Sequence, residues 1–192
     1  MPAIIESLRK DHRNFELLLK VLEQELAVFN RAERPDYEIL EDIIAYFQGY
    51  PERCHHPKED VILGKVKARD PTTAEAIGDL ETEHEEEARR LLRFTEAVAR
   101  VFNDHDVPRD AFDKTARDFI EHLRRHMEME EQQFFSAALK TLTDEDWAEL
   151  DAKLTDEKDP LFAGEIEEDF TALRRRILKW VQEDQGQRTL AD

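Results

Sequence analysis

A single cysteine, Cys54, means that no disulfide can form within this chain of 192 residues, and a protein without disulfides is expected in the reducing cytosol. Glycine is scarce at 5 residues, which disfavours the turns and bulges of a sheet protein and favours long helices. No stretch stays apolar long enough to cross a bilayer. The N-terminus turns charged within its first few residues, so it is not expected to be a secretory signal. Lys and Arg total 28 against 46 Asp and Glu, a formal net charge of −18. That balance excludes phosphate backbones and anionic lipid as natural partners. What is left is a cytoplasmic helical protein that uses neither nucleic acid nor membrane.

Apolar residues recur at helical period in four long segments. The first runs from Ala3 to about Asn30 through Ile4, Leu8, Phe15, Leu19, Leu22 and Leu26, with His12 inside the stripe. Arg34-Pro35-Asp36 breaks the chain before a second segment with Ile39, Ile43 and Phe47. Gly49-Tyr50-Pro51 should kink or interrupt it, and Pro57 should leave a local distortion such as a widened turn. Asp70-Pro71 opens a third segment, read as one helix through Ile77, Leu80, His84 and Val98. The fourth follows Pro108 and carries Phe112, Phe119, Leu123, Phe134 and Leu139. The expected fold is all-α, an antiparallel up-down four-helix bundle over residues 1–140. A helical extension over 141–185 packs on the bundle or forms a homodimer surface, and 186–192 fray. Within the extension, Thr143 to Asp146 resembles a capping box, Asp159 to Phe162 a turn, and Ile166 to Val181 a last amphipathic helix.

The chemistry sits in a repeated pattern. His126 and Glu130 lie four apart, on one helical face, and so do His55 and Glu59. A lone histidine precedes each pair, in Leu8-x-x-Asp11-His12 and in Leu80-x-x-Glu83-His84. His12 stands 43 positions before His55, and His84 stands 42 before His126. Two copies of one helical hairpin are written in tandem. Folded as a bundle, they bring His12, His55, Glu59, His84, His126 and Glu130 together as a di-metal carboxylate site.

Imidazole nitrogen with carboxylate oxygen and no thiolate suits iron, manganese or zinc. Four imidazoles and two carboxylates exceed what one ion can use while keeping a position open, so two ions are expected. If each carboxylate bridges, every ion receives two histidines and two glutamate oxygens, and an oxo or hydroxo bridge makes five donors. An octahedral ion then keeps one position for a small molecule.

On these residues the chain resembles the hemerythrin-like, or HHE cation-binding, family from roughly Ile4 to Leu139. The resemblance rests on His12, His55-His56-Pro57-Lys58-Glu59-Asp60, Glu81-Thr82-Glu83-His84 and His126-Met127-Glu128-Met129-Glu130-Glu131. It implies a four-helix bundle with a non-haem di-iron centre that reacts with dioxygen, nitric oxide or peroxide, in oxidative or nitrosative stress. Oxygen carriers of the family have a further histidine four residues beyond the third-helix ligand, where this chain has Ala88. They also end on His and Asp five apart, where this chain has Glu130 at four and Glu131 at five. A set of four His and two Glu is more similar to the branch linked to iron-sulfur cluster repair. A second reading is an iron or oxygen sensor whose metal occupancy stabilises the bundle.

Several neighbours compete for roles. His56 and Asp60 share the spacing of His55 and Glu59 and are the alternative pair. His122 lies one turn before His126 and either fills the open position or lines a pocket. Asp11 and Glu83 are expected at the solvent edge, Cys54 as a buried inert thiol, and His105 as a solvated loop residue. Tyr46 and Tyr50 are expected to pack with their hydroxyls at the surface.

Overall fold

The computed structural model describes residues 1–103, 107–153, 159–162 and 170–179, and the described residues contain no strand. His105, residues 163–169 and everything beyond 179 lie outside them, including Trp180 and the tail expected to fray.

Helix α1, Ala3–Asn30, buries the predicted stripe from Ile4 to Leu26. Its N-terminus has no cap of its own; the carboxylate of Asp151 accepts hydrogen bonds from the backbone N–H of Ala3 and Ile4 at 3.0 and 2.9 Å. A carboxylate there also meets the positive end of the helix dipole. Asp36 caps α2, Tyr37–Tyr50, by accepting from the N–H of Ile39. The chain then passes through a π-helical turn, Pro51–His55, into α3, His56–Arg69.

Pro51 does not interrupt this rod. The widened turn lies just upstream of Pro57, which has no N–H to offer the Arg53 carbonyl and whose ring crowds it. A second π turn, Glu130–Phe134, joins α6, Arg109–Met129, to α7, Phe135–Thr141. No proline causes this one, and nothing in the sequence signalled it. It brings two consecutive rings, Phe134 and Phe135, fully into the core.

The third segment is two helices rather than one. Helix α4, Pro71–Ile77, is capped by Asp70 and ends at Gly78, whose φ of 97° lies where an L side chain is strained. Asp79 then caps α5, Leu80–Phe102, by accepting from the N–H of Thr82. Helix α8, Asp144–Asp151, opens on the predicted capping box between Thr143 and Asp146. Asp146 also pairs with Lys65 and Arg69, tying α8 to α3.

Four rods make the bundle: α1, α2 with α3, α5, and α6 with α7. Helix α5 packs on α6 and α2, and α1 packs on α6 and α2. Two apolar clusters fill it. One contains Phe15, Leu22, Phe47, Phe94 and Phe119; the other contains Ile4, Leu8, Ile62, Phe134 and Trp147. Every rod crosses from one cluster to the other, and His12, His55 with Glu59, His84, and His126 with Glu130 fall at the crossings. The candidate site is therefore a polar layer sandwiched between two dry cores.

Residues 171–179 are helical, and Leu161, Phe170, Leu173 and Ile177 join the first cluster. Buried Asp159 anchors this segment. It accepts from the Tyr46 hydroxyl at 3.0 Å, from Asn14 at 3.3 Å, and from the N–H of Leu161 and Phe162. Arg176 reaches Glu25 of α1 at 2.7 Å. Among the described residues, no helix is long and apolar enough to cross a membrane.

Candidate metal centre

All six sequence-predicted donors converge on the polar layer. Glu59 and Glu130 are fully buried, and His12, His55 and His126 nearly so. Among the described residues, three groups have donor atoms within 4.8 Å of one another inside each group: His12, His55, Glu59 and Glu130; His84, His126 and Glu130; and His56, Glu59 and His84. Both glutamates belong to two groups because each divides its oxygens. Glu130 points Oε2 at His12 Nε2, 3.2 Å away, and Oε1 at His126 Nε2, 2.9 Å away. Glu59 points Oε1 at His55 Nε2, 3.4 Å, and Oε2 at His84 Nε2, 3.2 Å.

The outer edges of two rings are tied down. His55 Nδ1 lies 3.2 Å from Asp11 Oδ2, and His12 Nδ1 lies 3.1 Å from Glu131 Oε1. Donating those protons leaves lone pairs on both Nε2 atoms, which is the tautomer a metal requires. Asp11 is only 3 % exposed, so the expectation that it sits at the solvent edge fails. It holds His55, Lys58 and the Tyr50 hydroxyl together. Tyr50 and Tyr46 are buried too, with hydroxyls bonded to Asp11 and Asp159 rather than facing solvent. Glu83 stays half-buried, and Cys54 is buried as expected.

His55 and His56 are not alternatives. Both are buried at the site, and the His56 ring stacks on His84 with centroids 3.7 Å apart. Asp60 is exposed. His122 lines a cavity of about 560 Å³ together with His126 and Gly78, and it belongs to none of the three donor groups. Glu87 escaped the sequence reading altogether. It lies three residues after His84, a spacing that shares its face, and is 4 % exposed.

Taking two carboxylates out of water is costly unless positive charge meets them. Among the described residues, both oxygens of Glu59 and of Glu130, Nε2 of His84, and both ring nitrogens of His126 are buried with no hydrogen-bond partner outside this cluster of facing imidazoles and carboxylates. With no ion, protons take that place. Burial alone lowers the basicity of His55, but the Glu59 charge and the Asp11 contact lift its pKa to about 10. Burial likewise opposes, and Glu130 and Glu59 overcome, for His84, also at about 10. His12 and His126 shift upward against burial through Glu130. Burial would raise Glu130, yet His12, His126 and His84 hold it well below the usual carboxylate range. His56 goes the other way: burial, then His84 and His55, push it down to about 2, so its ring is neutral. Burial raises Glu87 to about 7.

A helical bundle with a buried histidine and glutamate layer able to hold cations defines a class of metal-binding proteins. The chain belongs to the hemerythrin HHE cation binding domain family, whose family model matches residues 3–138. Comparison with curated proteins and with solved structures gave no match.

Proposed function

We propose that this chain is a non-haem di-iron protein that binds or processes a small oxidant, O2, NO or H2O2. The observation that carries the reading is the division of Glu59 and Glu130, each of which offers one oxygen to the His12–His55 pair and the other to the His84–His126 pair or its member His84. Carboxylates arranged in that way suit two ions side by side. His12 and His55 would hold one, His84 and His126 the other, and the two glutamates both. The unpartnered buried donors fit a pair of divalent cations, and their nitrogen and oxygen chemistry fits iron, with manganese or zinc as competitors.

Bound iron supplies redox chemistry and an acceptor for small ligands. The chain's own residues do the rest. Asp11 and Glu131 orient His55 and His12, while Phe15 and Phe135 pack on these rings at 5.1 and 5.5 Å and keep water from that side. The resemblance to the iron-sulfur repair branch points to a role in oxidative or nitrosative stress in the cytosol. Anaerobic loading with Fe(II), followed by optical spectra on exposure to O2, NO and H2O2 in turn, tests the reading. A new near-ultraviolet or visible band with at least one oxidant is expected; silence with all three would contradict it.

A further inference from the structure

The two halves of the site are not equivalent. On the His12–His55 side, both outer ring nitrogens are tied to carboxylates and two phenylalanine rings pack on the imidazoles; His12 borders an open cleft of about 670 Å³, but Glu131, which holds its Nδ1, lines that cleft too. On the other side, His84 opens onto a cavity of about 140 Å³ between α2 and α5. Its floor is His84, His56 and Glu87, and its walls include Phe47, Leu91 and Leu92. The space suits a molecule of two or three heavy atoms with a water or two, since water occupies about 30 Å³ in the liquid. Ala88, with a side chain of one carbon, lines the cavity. A larger side chain at that exposed position would reach across the mouth, where a wider basin lined by His56, His84 and Ala88 and rimmed by Glu52, Asp60, Glu81 and Glu85 meets solvent.

Resting on the di-iron reading, we infer that the small ligand binds on the His84 side, in the cavity between α2 and α5, where Glu87 and His56 meet it from within and Gln48 and Glu52 line the rest of the polar wall. The apolar walls select small, weakly hydrated molecules. Glu87 makes no hydrogen bond or ion pair among the described residues, so its carboxyl is available to whatever enters. When ionised it repels an anion and leaves a neutral diatomic untouched. The His56 ring, stacked on His84, offers a ring nitrogen beside it. The larger cavity beside His122 and His126 is lined by Asp79, Glu83 and Arg125 and is a solvent pocket in this account.

The test uses the iron-loaded full chain and two probes, azide and NO, titrated optically at pH 8.5, with iron per chain measured on the same samples. Ala88→Phe should weaken both probes at least tenfold with iron content unchanged. Arg125→Trp, which fills the mouth of the other cavity, should leave both affinities within threefold of wild type. Glu87→Gln keeps the shape and removes the charge; it should tighten azide about tenfold and leave NO unchanged. Wild-type azide affinity in both Ala88→Phe and Glu87→Gln, or a loss confined to Arg125→Trp, would overturn the pocket while leaving the di-iron reading intact. A wild-type chain that takes up no iron would overturn both.

Discussion

The Nε2 atoms of His12 and His55 face each other at 3.3 Å. Both rings give their Nδ1 proton to a carboxylate, so two lone pairs point at one another, an arrangement that repels unless a cation or a proton lies between them. Two nitrogens each about 2.1 Å from one ion at a right angle stand roughly 3 Å apart. The protein has built the spacing of two neighbouring ligands before any ion arrives.

Asp11 maintains that spacing from outside. Asp11→Asn keeps an acceptor oxygen but removes the charge that faces His55 and Lys58. Metal affinity, read by competition with a chelator, should fall by about 10- to 100-fold. An affinity equal to wild type would show that the carboxylate does not orient the ring.

The metal-free chain should lose stability as pH rises. The folded-state pKa values of His55 and His84 are raised to about 10, so their protonation stabilises the fold. That contribution is complete below the ordinary value near 6.5 and disappears as pH climbs through about 10. Thermal unfolding of the apo protein should shift down by several degrees between pH 6.5 and 9.5. Loading with metal, which replaces the protons, should flatten the dependence. Calorimetry on both forms across that range checks it.

Asp159 should be a main anchor of the segment after the bundle. Asp159→Ala leaves the Tyr46 hydroxyl and the Leu161 and Phe162 N–H groups without their acceptor. The cost should be about 1–3 kcal/mol, a fall in Tm of roughly 2–4 °C per kcal/mol. Metal content should not change, because none of the candidate ligands touches Asp159.

Two glycines should respond with opposite signs to alanine. Gly78 has a φ of 97° between α4 and α5, so Gly78→Ala should destabilise by about 1 kcal/mol or more. Gly64 lies in α3, and a Cβ there meets nothing within 4 Å. Gly64→Ala should stabilise by up to about 1 kcal/mol. Denaturant melts of the two variants separate these outcomes.

The bundle was legible because its periodicity is long and its ligand pattern is written twice. The convergence of the six donors followed from the spacing of His and Glu alone. What was missed has local causes. Gly78 reads as a tolerated residue in a helical pattern until its φ is seen, and only then does Asp79 become a cap. The π turn at Glu130–Phe134 contains no proline, so no residue announced it. Asp11 precedes an inward histidine by one position and was assigned to solvent, yet the π turn and α3 pack closely enough for His55 and Lys58 to enclose it. Glu87 sits in a run of three glutamates, Glu85 to Glu87, and only the third faces inward. His56 looked like a competitor of His55, although two consecutive residues at the end of a widened turn both reach the layer.

Metal content per chain tests the central claim most directly. Protein loaded anaerobically with Fe(II) and freed of loose ions should retain two irons per chain, and Glu59→Ala or Glu130→Ala should lower that number sharply, because each carboxylate faces histidines of both pairs. Retention of one iron or fewer by the wild-type chain would contradict the account.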